Sequence, residues 1–223
     1  MKISDRLKVI ADFINEEDKV IDIGCDHALL DIYLCEKYNN IKIIASDIVD
    51  DAINNAKSNI EKYGYLDRID LRLGDGLSII NPEEIDTIVI SGMGFLTIKE
   101  ILSNEIKMVN VKKIVIQSNT DVVKLRKFVI SLGYKIVREE LVKDNDIIYN
   151  VIEFNLGKEK YSYEEIYFGP MILKNKNELF YEYYSKKLLK YENLLLQLPS
   201  YEITTKLHHK KLIRIIRKAL QEK

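Results

Sequence analysis

Hydrophobic positions along this chain change their spacing part way through. Short β-branched or apolar runs recur at Lys19–Ile23, Ile41–Ser46, Ile69–Leu73, Thr87–Ser91, Lys113–Gln117, Lys135–Val137 and Ile147–Phe154. Their length and near-continuous apolarity predict strands covered on both faces. Between the early runs, Leu29–Tyr38, Asp51–Tyr63, Leu96–Glu105 and Val122–Leu132 carry a helical pattern. Strands alternating with helix-length segments predict βαβ crossovers and a mostly parallel sheet. The last two runs have no helix between them, which predicts an antiparallel pair at one edge. An amphipathic stretch through Ile3, Leu7, Ile10, Phe13 and Ile14 predicts a covering helix before the first strand. The fold class expected is α/β, a doubly wound, Rossmann-like sheet of seven strands.

After Gly169-Pro170 the period becomes helical throughout. Leu173, Phe180, Tyr184, Leu188, Tyr191 and Leu195 recur at threes, fours and sevens. Pro199 interrupts the pattern, and Ile203, Leu207, Ile213, Ile216 and Leu220 resume it. Two long helices joined at Leu198-Pro199-Ser200 would make a coiled-coil-like helical hairpin. The expected division is therefore residues 1–157 for the α/β domain and 158–223 for the hairpin.

Charge sharpens that division. The whole chain carries 34 Lys+Arg against 35 Asp+Glu, a net of −1. From Asn155 onward there are 14 basic and 8 acidic residues, +6, leaving 34−14 = 20 basic and 35−8 = 27 acidic before it, −7. An acidic body with a basic appendage suits a polyanionic partner, although a solvated helical surface would look the same. Hydrophobic residues make up 47% of the 223, enough for a folded core without staples. No run of about 18 apolar residues suggests a membrane span. The charged start, MKISDRLKVIADF, does not read as a signal peptide. Two cysteines, Cys25 and Cys35, and three histidines suggest neither a disulfide framework nor a metal site. A reduced, cytoplasmic protein is expected; the sequence is compatible with a monomer and does not fix the oligomeric state.

The residues with chemical promise stand at strand ends. The first strand ends Asp22-Ile23-Gly24-Cys25-Asp26-His27. A glycine there lets a ligand approach the backbone, and open α/β sheets bind ligands at this edge. Only the first glycine of a GxGxxG pattern is present, which disfavours a dinucleotide. The second strand ends Ser46-Asp47, with a carboxylate placed to accept hydrogen bonds from two ribose hydroxyls. The third is followed by Gly74-Asp75-Gly76, whose acid suits the exocyclic amine of an adenine. The fourth ends Ser91-Gly92-Met93-Gly94, flexible backbone that would admit a second substrate beside the first. Singly, each glycine could be a turn residue and Asp47 a helix N-cap. Together they recur in order at successive strand tips, which points to one nucleoside-binding site.

In these motifs the chain resembles the class I S-adenosylmethionine-dependent methyltransferases, and more narrowly the bacterial tRNA (adenine-22-N1)-methyltransferases. The resemblance covers nearly the whole chain: Ser4-Asp5-Arg6-Leu7, DIGCDHA from Asp22, Ser46-Asp47, GDGL from Gly74, SGMG from Ser91, and the helical hairpin. It departs from the family pattern in three places. DHAYLP reads here as Asp26-His27-Ala28-Leu29-Leu30-Asp31, GMGG ends in Phe95, and QPN is Gln117-Ser118-Asn119.

The resemblance implies S-adenosyl-L-methionine as cofactor, tRNA as partner and N1 of adenine 22 as the methyl acceptor. Cofactor contacts are expected from Asp22, Gly24, Cys25, Ser46, Asp47, Gly74, Asp75, Gly76, Ser91, Gly92 and Met93. N1 of adenine has an in-plane lone pair, so no proton need leave before attack. The product is a cationic adenine, which a nearby carboxylate would favour. Asp26 is the candidate for that carboxylate, with a helix N-cap as its alternative role. His27 is the candidate to orient the base, with a plain loop histidine as its alternative. Substrate contacts are expected from Arg6, Gly94 and Asn119, and from Lys187, Lys210, Lys211 and Arg214 on the hairpin. Tyr181, Tyr183 and Tyr184 suit interhelical packing better than base stacking. Three other functions stay open on sequence alone: a methyltransferase for a protein or small molecule, a nicotinamide-dependent oxidoreductase, and an RNA-binding module with a vestigial pocket.

Overall fold

Strand β1, Lys19–Ile23, lies inside the sheet, buried at every position but its first. It pairs in parallel with β2, Lys42–Asp47, on one side and β4, Thr87–Met93, on the other. β3, Ile69–Leu73, extends the sheet beyond β2, and β5, Lys113–Ser118, extends it beyond β4. β6, Tyr134–Asp144, and β7, Ile147–Leu156, form the hairpin, with β7 antiparallel to β5. The order is β3-β2-β1-β4-β5-β7-β6, a seven-stranded doubly wound, Rossmann-like sheet. Strand order reverses between β1 and β4, and it is there that such sheets bind ligands.

The helices follow the sequence pattern closely. α1, Asp5–Asp12, is capped by Ser4, whose hydroxyl accepts from the Leu7 amide at 3.3 Å. α2, Leu29–Lys37, buries Leu30, Ile32, Leu34 and Cys35. α3, Asp50–Tyr63, ends on Gly64 in the left-handed conformation. α4, Phe95–Leu102, and α5, Val122–Ser131, cover the other half of the sheet. This computed structural model describes every residue except Glu105, Ser200, Glu222 and Lys223. α4 stops three residues before the expected end, and Glu105 lies outside the described residues. So does Ser200, the last residue of the expected interhelical joint.

β6 is far longer than the expected Lys135–Val137. Its continuation, Arg138-Glu139-Glu140-Leu141-Val142-Lys143-Asp144, is too polar to read as a strand, yet its inward positions are satisfied. Glu139 accepts from the Arg126 Nε at 2.6 Å, with both side chains almost fully buried. Arg138 lies 4.1 Å above the Phe13 ring and donates to the Asp12 carbonyl. An edge strand can therefore carry charge where cross-element pairs take it up.

The described residues divide into two compact units, Met1–Lys160 and Tyr161–Lys223. The second begins with two short helices. α6, Tyr163–Phe168, is opened by a Ser162–Glu165 capping box, and α7, Pro170–Lys174, has proline in its first turn. Two long helices follow: α8, Glu178–Gln197, capped by Asn177, and α9, Ile203–Gln221. Contacts between the long helices include Tyr191 on His209 and Glu192 to Arg217. Phe168, Phe180 and Tyr184 form the aromatic centre of this unit, each almost fully buried. Among the described residues no helix is long and apolar enough to cross a membrane. No group of three metal-ligating side chains occurs among them.

Candidate active site

The C-terminal ends of β1, β2, β3 and β4 open on one cavity of about 780 Å³. Most of the residues singled out from the sequence line it. Asp22, Gly24, Cys25, Asp26 and His27 come from β1 and its loop, and Asp47 from the tip of β2. Gly74, Asp75 and Gly76 follow β3, Ser91, Gly92 and Met93 end β4, and Arg6 reaches in from α1.

The loop after β1 is shaped by its backbone. Gly24 has φ +80, and the Met93 methyl group stands 2.3 Å from where a Cβ would be. A side chain at Gly24 would meet both a conformational penalty and the cavity wall. The Gly24 and Cys25 amides donate to the Ser46 carbonyl at 2.8 and 2.9 Å, fastening the loop to β2. Asp26 and Ala28 also take positive φ, 51 and 53. Ala28 is the N-cap residue of α2, with no side-chain cap. Asp26 is therefore not the cap, and its side chain stays 72% exposed, with its carboxylate 3.8 Å from His27 Nε2. The Asp26 amide donates to Asp47 Oδ2 at 3.2 Å and the Val49 amide to Asp47 Oδ1 at 3.0 Å. Both hold the Asp47 carboxylate at the rim.

Five carboxyl groups, Asp22, Asp26, Asp47, Asp75 and Glu100, line a cavity into which Arg6 brings a positive charge. Such a lining favours a cationic ligand. Asp22 is buried at the floor, and burial followed by the nearby Asp47 charge pushes its carboxyl up to about 7. Asp31 in the first turn of α2 is fully buried, and neither of its carboxyl oxygens has a hydrogen-bond partner among the described residues. Burial, followed by the Asp22 charge, holds it well above the usual carboxylate range. Burial and then Asp31, Asp22 and Asp47 push the Cys25 thiol far up as well. A thiol held in that form is no nucleophile.

The β4 end is held by Gln117, which is fully buried on β5. Its Oε1 accepts from Arg6 Nη1 at 2.6 Å, the Gly92 amide at 3.0 Å and the Ser91 hydroxyl at 3.3 Å. Its Nε2 donates to Asn119 Oδ1, and Asn119 Nδ2 donates to the Gly92 carbonyl at 2.6 Å. The pairing register shifts between Ser91 and Met93, where Gly92 takes φ +80. Arg6 also lies 5.2 Å from the centre of the Tyr149 ring.

Three expected residues serve the frame of the cavity and do not line it. The Ser46 hydroxyl donates to the Asp22 carbonyl, Gly94 is the N-cap of α4, and Asn119 braces Gly92. Lys187, Lys210, Lys211 and Arg214 belong to the second unit. One wall was not singled out from the sequence: Thr97, Glu100 and Ile101 of α4, and Asn104 just beyond it, line the cavity. The spacing of three and one between the α4 residues is one helical face, so that signal was present in the sequence. Ile48, Leu77 and Ser78 extend the expected motifs by one or two residues.

A sequence model of the family described as tRNA (adenine(22)-N(1))-methyltransferase matches residues 20–220. The tRNA (adenine(22)-N(1))-methyltransferase of Bacillus subtilis is 30% identical over 195 residues, spanning 84% of this chain and 82% of that protein. The structure of M. capricolum TrmK with S-adenosyl-homocysteine aligns with a TM-score of 0.88 at 33% identity, covering 99% of this chain and 98% of that one. A Streptococcus pneumoniae protein solved with S-adenosyl-L-methionine aligns with a TM-score of 0.90 at 28% identity, covering 99% and 100%.

Proposed function

The chain belongs to the tRNA (adenine(22)-N(1))-methyltransferase family, and on that premise we propose how its own residues serve transfer of a methyl group from S-adenosyl-L-methionine to N1 of adenine 22 in tRNA. The observation that carries the reading is the meeting of four strand tips on one acid-lined cavity at the switch point of the sheet. A volume of about 780 Å³ lies within the range of ordinary ligand sites. The carboxyl lining matches a ligand carrying both a sulfonium and an ammonium charge.

In this reading Asp47, held by two backbone amides, accepts from the ribose hydroxyls. Asp75 faces the adenine amine, with Ile48 and Leu77 against the ring. Asp22 receives the ammonium group. When bound there, S-adenosyl-L-methionine would supply an electrophilic methyl group to N1, with S-adenosyl-homocysteine as the leaving product and the positive charge left on the adenine. Asp26 and His27 stand at the open side of the cavity. Asp26 favours the charge developing on the base. His27 orients the base by hydrogen bonding or stacking. Neither has to remove a proton, because the attacking lone pair is free. Arg6, set by Gln117, offers a cation for the substrate's phosphate.

The second unit, a coiled-coil-like hairpin, is read as the part that binds tRNA. The enzyme is placed in the cytoplasm, with its substrate. The experiment is methylation of unmodified tRNA transcripts carrying either adenine or guanine at position 22. After digestion, 1-methyladenosine should appear from the first and be absent from the second. Equal methylation of both would move the acceptor elsewhere.

A further inference from the structure

The positive charge of the helical hairpin is not equally available to a ligand. Lys186 is paired with Glu182 at 2.7 Å, and Arg217 with Glu192 at 2.6 Å. Lys187 lies 4.5 Å from the centre of the Tyr183 ring, and Lys211 lies 3.7 Å from that of Tyr163. These side chains are already committed to partners within the unit. Lys206, Lys210 and Arg214 make no side-chain hydrogen bond, ion pair or ring contact among the described residues. They recur every fourth residue along α9, on one face and about 6 Å apart along the axis.

Lys210 and Arg214 also border a groove of about 740 Å³ between α8 and α9. Leu195, Leu196 and Ile213 give it an apolar lining, and Leu196 is 85% exposed. Its one carboxylate, Glu192, is held by Arg217. A cationic stripe beside an apolar lining fits a ligand with an anionic backbone and flat uncharged faces. That is the chemistry of an unpaired nucleic-acid strand. A second copy of the hairpin would set like charges against each other here and is disfavoured.

We propose that this groove grips an unpaired segment of the tRNA, with phosphates on Lys206, Lys210 and Arg214 and a base against Leu195, Leu196 and Ile213. The proposal rests on the tRNA reading above and narrows it to one face, leaving out Lys187 and Lys211.

The test compares two triple variants of the full-length protein. One is Lys206→Gln/Lys210→Gln/Arg214→Gln; the other, Lys186→Gln/Lys187→Gln/Lys211→Gln, removes the same charge from the same unit. Affinity for an unmodified tRNA transcript is measured across a salt series, with S-adenosyl-L-methionine affinity as the folding control. Each lost phosphate contact should lower the slope of log K against log salt by roughly 0.7–0.9. The first triple should lower it by about two contacts or more and weaken binding at least about tenfold; the second should change the slope by less than one contact. Equal losses from the two triples, or an unchanged slope in the first, would overturn the groove even if methylation persists. Leu196→Asp, at an exposed position, should weaken tRNA binding while the protein keeps its sedimentation behaviour. If it instead dissociates a dimer, the groove joins two copies and the proposal fails. Absence of 1-methyladenosine from wild-type reactions would count against the broader reading as well, which separates the two failures.

Discussion

The backbone amide of Asp26 donates to the carboxylate of Asp47 at 3.2 Å, joining the loop after β1 to the tip of β2. One acid thus serves two functions in the proposed site. It faces the ribose, and it holds in place the residue whose own carboxylate faces the reacting base.

Asp47→Ala should therefore affect both substrates. Loss of hydrogen bonds to a charged group is worth about 1.5–3 kcal/mol, or roughly ten- to a hundredfold in cofactor affinity. Calorimetry should show that loss with the fold intact. A milder loss in Asp47→Asn would be expected, since its oxygen can still accept from one amide. Unchanged affinity in the alanine variant would remove Asp47 from the ribose site.

Asp31 gives a prediction about stability and pH. Asp22 and Asp31 hold their protons more tightly in the fold than in the unfolded chain. Between the ordinary carboxylate range and about 7 the folded protein binds more protons than the unfolded one, so stability falls as pH rises through that window. Asp31→Asn removes the Asp31 share of the slope. The variant should gain on wild type progressively as pH rises from the ordinary carboxylate range, read as a widening difference in Tm. A parallel pair of stability curves across that window would show that Asp31 keeps no extra proton.

Gln117 organises the other side of the site, since one oxygen receives Arg6, Gly92 and Ser91 together. Gln117→Leu should leave two buried or half-buried donors unmatched and cost about 1–3 kcal/mol of stability. It should also lower methyl transfer more than cofactor affinity, because the proposed site sets Arg6 and the β4 end toward the second substrate. Assays at a temperature where both proteins are fully folded separate the two effects. Turnover equal to wild type under those conditions would make Gln117 purely structural.

The strand tips were the most legible part of the sequence. Hydrophobic runs, each ending in glycine or an acid, locate β1 to β4 and place Asp22, Asp47, Asp75 and Gly92 on one cavity. The sequence was less informative wherever a residue acts through tertiary partners. β6 looked short because Arg138 and Glu139 are charged, and only Phe13 and Arg126 make those charges compatible with a strand. Ser46 was expected in the cavity, but its hydroxyl turns to the Asp22 carbonyl. The α4 wall was missed because Thr97, Glu100 and Ile101 form no motif; only helical spacing relates them. On the hairpin, the sequence displays every cation alike. Which of them remain free depends on where Tyr163, Tyr183, Glu182 and Glu192 fall.

The central claim is that the cavity at the strand tips carries the methyl transfer, with Asp26 beside the accepting base. The most direct test is a single-turnover measurement of tRNA methylation by Asp26→Ala, set against its affinity for S-adenosyl-L-methionine. The rate should fall by about tenfold or more while cofactor affinity stays within a few-fold of wild type. An undiminished single-turnover rate would contradict that role for Asp26.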